Sequence, residues 1–140
     1  MKNTIEFAKD SKVTVVGTTY VVSDAIYKSL KADRRIDGGA YRFDTNIRIL
    51  QAFDSDLKTD KLYVANATGN DYADALVASA IAGKYSASLV LVDTEGSTGT
   101  YNALSYIGGK AAQDTDIRIG GRGVVSDAII DFMNDREVMR

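Results

Sequence analysis

The sequence predicts an α/β fold, a three-layer α/β/α sandwich on a mainly parallel, doubly wound sheet of about five strands. Three observations predict it. Short runs of β-branched and aliphatic residues alternate with stretches of helical periodicity along all 140 residues. Two of those runs, Leu62-Tyr63-Val64-Ala65 and Leu89-Val90-Leu91-Val92, are unbroken and apolar, which suits strands covered on both faces of a parallel sheet. Finally, Val-Val-Ser-Asp-Ala-Ile occurs at 21–26 and again at 124–129, so one strand–turn–helix unit is present in two copies.

The elements follow in order. Residues 1–12 form an N-terminal extension. Val13-Thr14-Val15-Val16 reads as a strand, Gly17 as a turn, and 22–32 as a helix whose Ser23 hydroxyl caps free amides. A strand near 35–37 precedes a helix over 45–53, with Asp44 or Thr45 as cap and Ile47, Leu50 and Phe53 as its apolar stripe. Strand 62–65 leads into helix 72–82, where Ala73, Leu76, Val77, Ala80 and Ile81 make an inward stripe and Gly83 suits a left-handed C-terminus. Strand 89–92, a helix over 100–107 and strand 117–119 come next. The last helix, 125–135, has the Ser126 hydroxyl placed to cap free amides and turns Ile129 and Met133 inward. Regular alternation with short connections implies right-handed crossovers, as in flavodoxin-like or Toprim-like folds, and no Pro- or Ser-rich linker divides what reads as one compact domain.

Composition removes several chemistries. With 45% hydrophobic and 26% charged residues, the chain has the make-up of a folded domain rather than a disordered one. His and Cys are both absent, which excludes Ser-His-Asp and Cys-His catalysis, disulfides, thiolate or imidazole zinc sites and haem attachment. No metal and no cofactor is expected. A net charge of −2 and a pI near 5.1 offer nothing global to nucleic acid or to an anionic membrane. No run approaches the length of a membrane span, so no membrane insertion is expected. The opening MKNTIEFAKDSK lacks the apolar core of a secretion signal, which places the signal of an exported parent outside this sequence.

Several constellations are candidates for a site. Gly120-Gly121-Arg122-Gly123 follows a strand and opens a helix, so its amides and the helix's positive end suit an anion, although a tight turn alone would also require glycine. Asp71 and Asp74 bracket the start of helix 72–82 and read either as first-turn acids or as a Mg²⁺ pair. Asp54-Ser55-Asp56 and Asp114-Thr115-Asp116 read as solvated loop charges. The densest segment runs over 34–46, where Arg34, Arg35, Arg42 and nearby Arg48 surround Gly38-Gly39 and a helix start. A guanidinium beside free amides and a capping hydroxyl can receive phosphate or carboxylate. It can equally lock the turn by pairing Arg42 with Asp37 or Asp44.

Four of these segments, in order, resemble the cell wall-binding repeat, type 2 family, found in S-layer and other cell-wall proteins of Gram-positive anaerobes. Arg35, Gly38, Arg42, Phe43, Thr45 and Asn46 match its R-x-x-G-x-D-R-Y-x-T-A/N motif, with Ala40-Tyr41 where G-x-D commonly ends. The stretch 67–76, Ala-Thr-Gly-Asn-Asp-Tyr-Ala-Asp-Ala-Leu, matches A-x-G-x-x-F-A-D-A-L, and Gly120-Gly121 through Ser126 match G-G-x-x-A-V-S. Ser88-Leu89-Val90-Leu91-Val92 stands where P-I-L-L-T is usual. By this resemblance 34–136 is one repeat and 13–33 is the closing unit of a preceding one.

The resemblance implies a noncatalytic module that anchors an exported or S-layer protein at the cell wall by binding an anionic, phosphate-bearing polysaccharide. Arg42, Thr45 and Asn46 are the expected contacts, with Arg35, Gly120 and Gly121 in support. Such modules usually come in threes, so sister repeats or a homotrimer are expected partners. Two alternatives stay open: a Mg²⁺-dependent nucleotide or phosphate enzyme built on Asp71, Asp74 and the Gly120 turn, and an S-layer protein–protein interaction module.

Overall fold

The computed structural model describes residues 1–69, 72–108 and 116–138. The chain packs as two compact units, Met1–Ala52 and Phe53–Arg140. The first contains helix α1 (Lys2–Ala8), strand β1 (Thr14–Val16), helix α2 (Asp24–Ser29), strand β2 (Arg34–Ile36) and helix α3 (Arg42–Ala52). β1 and β2 are parallel, with Val15 opposite Arg35 and Val16 opposite Ile36. Val15, Ile36 and Leu50 form the buried apolar core of this unit, and α1 buries no residue. Ser23 caps α2 as expected, its Oγ accepting from the Ile26 amide at 3.4 Å.

Helix α3 starts at Arg42, three residues ahead of the expected Thr45. Thr45 is therefore not its cap. The Thr45 hydroxyl accepts from the Gly39 amide at 3.0 Å and donates to the Tyr41 carbonyl at 3.2 Å, which ties the glycine turn to the first helical turn. Both glycines make room for this. A Cβ on Gly39 would overlap the Asp44 side chain, and one on Gly38 would stand 3.0 Å from Thr45 Oγ1.

The second unit opens with a 3-10 turn (Asp54–Asp56) and continues with β3 (Lys58–Asn66), α4 (Ala73–Tyr85), β4 (Ala87–Val92), α5 (Thr98–Gly108), β5 (Asp116–Ile119) and α6 (Asp127–Val138). Its sheet has the order β4-β3-β5, all parallel, with Tyr63 between Leu89 and Ile117. As the unbroken apolar run predicted, β3 is central and covered on both faces: Leu62, Val64 and Ala65 are fully buried and Tyr63 nearly so. Ile129 and Met133 of α6 are buried as expected. Among the described residues, no helix is long and apolar enough to cross a membrane.

Among the described residues five parallel strands are present, and they form sheets of two and three rather than one doubly wound sheet. The strand–turn–helix unit present in two copies pairs differently in each. β1 and β5 are equivalent strands, and each takes a different neighbour, β2 for β1 and β3 for β5. Two further expectations fail on α4. The face it buries is Ala75, Ala78 and Ala82, while Leu76 and Val77 are 62% and 60% exposed. Alanines let the helix approach the sheet closely, at the cost of turning the larger side chains outward. Its left-handed residue is Ser86 (φ +53°), whereas Gly83 lies within the helix.

Candidate functional site

In the first unit, the arginine-rich segment works mainly as a lock. Arg35 Nη1 donates to the carbonyls of Gly17 and Val22, both at 2.8 Å, and Nη2 pairs with Asp24 at 3.2 Å. The guanidinium also lies over the Tyr27 ring, and the side chain is only 14% exposed. Arg35 is thus committed to its own unit and is not positioned to grip a ligand. Arg34 donates toward Thr14 Oγ1 and the Ala52 carbonyl, and Arg48 donates to the Asp37 carbonyl at 3.2 Å. Arg42, the first residue of α3, is exposed, while Thr45 and Asn46 are half-buried beside it.

The second copy of the unit solves the same problem with a different donor. Arg118 Nη1 donates to the Val125 carbonyl at 3.1 Å and pairs with Asp127 at 2.6 Å, matching the Val22 and Asp24 contacts of Arg35. Position 118 corresponds to Val15, and Val15 is the register partner of Arg35. The guanidinium has therefore moved sideways by one strand between copies while its acceptors stayed in place. The Arg118 hydrogen bond holds the Asp127 carboxyl below its ordinary range.

The Gly120 turn has one of the protein's own carboxylates beside it. Gly120 has φ +99°, and a Cβ there would lie 2.7 Å from Asp74 Oδ2. The protein's own carboxylate thus faces this glycine. The next anion position, the N-terminus of α6, likewise has an acid close by. Ser126 Oγ accepts from the Ile129 amide and donates to Glu95 Oε2, both at 3.3 Å, so Glu95 sits at the helix's positive end. Gly121 has open space around it, and Arg122 pairs with Asp127 at 3.4 Å. Asp71, Asp114 and Thr115 lie outside the described residues. Asp74 is placed against the turn, and Asp54 takes part in the 3-10 turn near Tyr106.

The geometry gathers other residues that the sequence reading did not single out. A cleft of about 370 Å³ opens at the carboxyl ends of β3 and β4 and beside the turn after β5, lined by Asn66, Thr68, Asp93, Glu95 and Ser126 over an apolar floor of Val124 and Ile129. Asn66 Oδ1 accepts from the Thr68 amide at 2.7 Å, and the Thr68 hydroxyl donates to Asp93 Oδ1 at 2.9 Å. Asp93 is anchored in turn, its amide donating to Thr100 Oγ1 at 3.0 Å. The signal that points here is topological. The chain steps from β3 to β4 and then returns to the far side of β3, and in such sheets ligands bind beyond the strand ends where that reversal occurs.

Residues 35–130 match the family model described as Cell wall binding domain 2 (CWB2). The chain belongs to the CWB2 family. It is a cell wall-binding module with an α/β fold. Among solved structures, the chain is similar to Cwp8 from Clostridium difficile, with a TM-score of 0.63 and 24% sequence identity. That likeness covers 95% of this chain and 21% of Cwp8, so the chain spans about a fifth of its structural neighbour. No curated protein sequence matches it significantly. The CWB2 match begins at Arg35, so the family's opening motif includes the lock of the first unit, and the match from Phe53 onward lies in the second.

Proposed function

We propose that this CWB2 module is a noncatalytic anchor that holds an exported or S-layer protein on an anionic, phosphate-bearing polysaccharide of the cell wall. The observation that carries this reading is Arg42, exposed at the first residue of α3 within the family's opening motif. This reading gives the polymer's charge to Arg42, exposed at the start of α3, with Asn46 beside it. Thr45 supports that contact indirectly by fixing the helix start, and Arg35 and Gly120 leave the ligand set, while Gly121, with open space around it, stays in it.

An exposed charge pair contributes on the order of 1 kcal/mol or less, so one module holds a polymer weakly and several engaging it together hold it firmly. The outward Leu76 and Val77 on α4 favour packing against a sister module or a second copy. In the first unit, β1 and α2 stand as the closing unit of a preceding repeat, and the Arg35 lock is how one repeat receives the opening strand of the next. The test is sedimentation with extracted cell wall before and after its anionic polysaccharide is removed. Retention should disappear with the polysaccharide, fall with added salt and weaken in Arg42→Ala. Retention indifferent to all three would refute the anchoring mechanism.

A further inference from the structure

The cleft at the strand ends is unlike the Arg42 region in charge, and it continues into a second cavity. That cavity, of about 300 Å³, shares Glu95 and Ile129 with the first and is walled by Tyr101, Leu104 and Phe132. Tyr101 and Phe132 are 59% and 47% exposed. Among the described residues neither cavity has a Lys or Arg in its lining, whereas Asp93 and Glu95 both contribute carboxylates. A phosphate entering here would meet like charge. The groove nevertheless holds an unmet donor: Asn66 is 9% exposed and its Oδ1 is taken by the Thr68 amide, but its amino group has no hydrogen-bond partner among the described residues. A buried amide donor without a partner costs free energy that a ligand acceptor would restore.

We infer that this groove binds an uncharged sugar residue of the wall polymer, with the Asn66 amino group donating to a hydroxyl or ring oxygen and Asp93 and Glu95 accepting from neighbouring hydroxyls. Sugar hydroxyls both donate and accept, which suits one buried amide donor beside two carboxylates. The exposed ring surfaces of Tyr101 and Phe132 suit the apolar C–H face of a pyranose, and the negative lining rejects the polymer's phosphates. Recognition is thereby divided between this groove, which reads the neutral sugar, and Arg42, which meets the charge. This inference rests on the cell-wall reading for its ligand but not on Arg42.

The test uses the full chain and two probes from the same wall polysaccharide: the intact polymer, and the neutral oligosaccharide left after its phosphate is removed. Binding of the neutral probe should shift the Asn66 side-chain amide signals in NMR spectra and should be unchanged by salt. Tyr101→Ala and Glu95→Ala, both at exposed positions, should each weaken it by about tenfold or more while leaving the melting temperature within a few degrees. If the intact polymer binds but the neutral probe does not, or binds equally well to both variants, the groove assignment is overturned and the anchor reading stands. If the neutral probe binds as described but the intact polymer gains nothing from its phosphates, the groove stands and the charge mechanism falls. Binding of neither probe overturns both.

Discussion

Arg35 offers the sharpest test of whether the family's opening motif is a lock or a ligand contact. Replacing it with Ala strips the Gly17 and Val22 carbonyls of their donor and removes the pair with Asp24. An acceptor left without a partner in a largely buried site costs roughly 1–3 kcal/mol, and the Asp24 pair, being two-thirds exposed on the acid side, adds less than about 1 kcal/mol. A total of about 3 kcal/mol is expected, equivalent to on the order of a hundredfold in local opening. Native-state hydrogen exchange reads it directly. The Gly17 amide, which donates to the Ile36 carbonyl, and the Asp33 amide, which donates to the Val13 carbonyl, should exchange about a hundredfold faster, while amides of β3 keep their protection. Arg35→Lys should fall between, because a single ammonium cannot match the fork that spans both carbonyls and the carboxylate. Unchanged exchange at Gly17 and Asp33, together with lost wall binding, would refute the lock and return Arg35 to the ligand.

Three further predictions concern stability. Gly120→Ala should destabilise the protein by about 2–4 kcal/mol, from its positive φ and the collision with Asp74, and adding Asp74→Ala should recover only the collision; strictly additive urea midpoints would contradict the close approach. Gly39→Ala should loosen the first turn of α3 and accelerate exchange of the Thr45 amide, with Gly96→Ala, whose Cβ would meet open space, showing only the cost of its positive φ. Because the Asp127 carboxyl titrates below its unfolded value, its pair with Arg118 stabilises the protein at neutral pH, and that contribution is lost as pH falls from about 4 through the folded pKa; Asp127→Asn should flatten this acid limb of the melting curve, and an unchanged limb would remove the pair from the account.

Much of the fold was legible because it is written in near neighbours. The apolar runs at 62–65 and 89–92 are buried strands, and Ser23 and Ser126 cap the two helices whose shared hexapeptide announced them. The errors fall where a residue's environment is set by distant chain. Helix periodicity alone made Leu76 and Val77 the inward face of α4, but a sheet that the helix must approach closely selected the alanines. The candidate site divides in the same way. Arg42 is exposed where the motif led us to expect it, whereas Asn66, Asp93 and Glu95 carry no motif of their own and become a site only when three strand ends meet.

The sequence by itself determined the alternation of parallel strands and helices, the duplication of one strand–turn–helix unit and membership of a cell wall-binding family. Those properties depend on periodicities and turn residues within a few positions of one another. Only the tertiary structure decided that the strands divide into two sheets, that Arg35 and Arg118 reach equivalent carbonyls from different strands, and that Asp74 comes up against Gly120 and Glu95 against Ser126 in the second unit. Each of these is a contact between residues far apart in the chain, and its partner is set by which strand edge and which buried carbonyl remain to be satisfied once the local elements have formed.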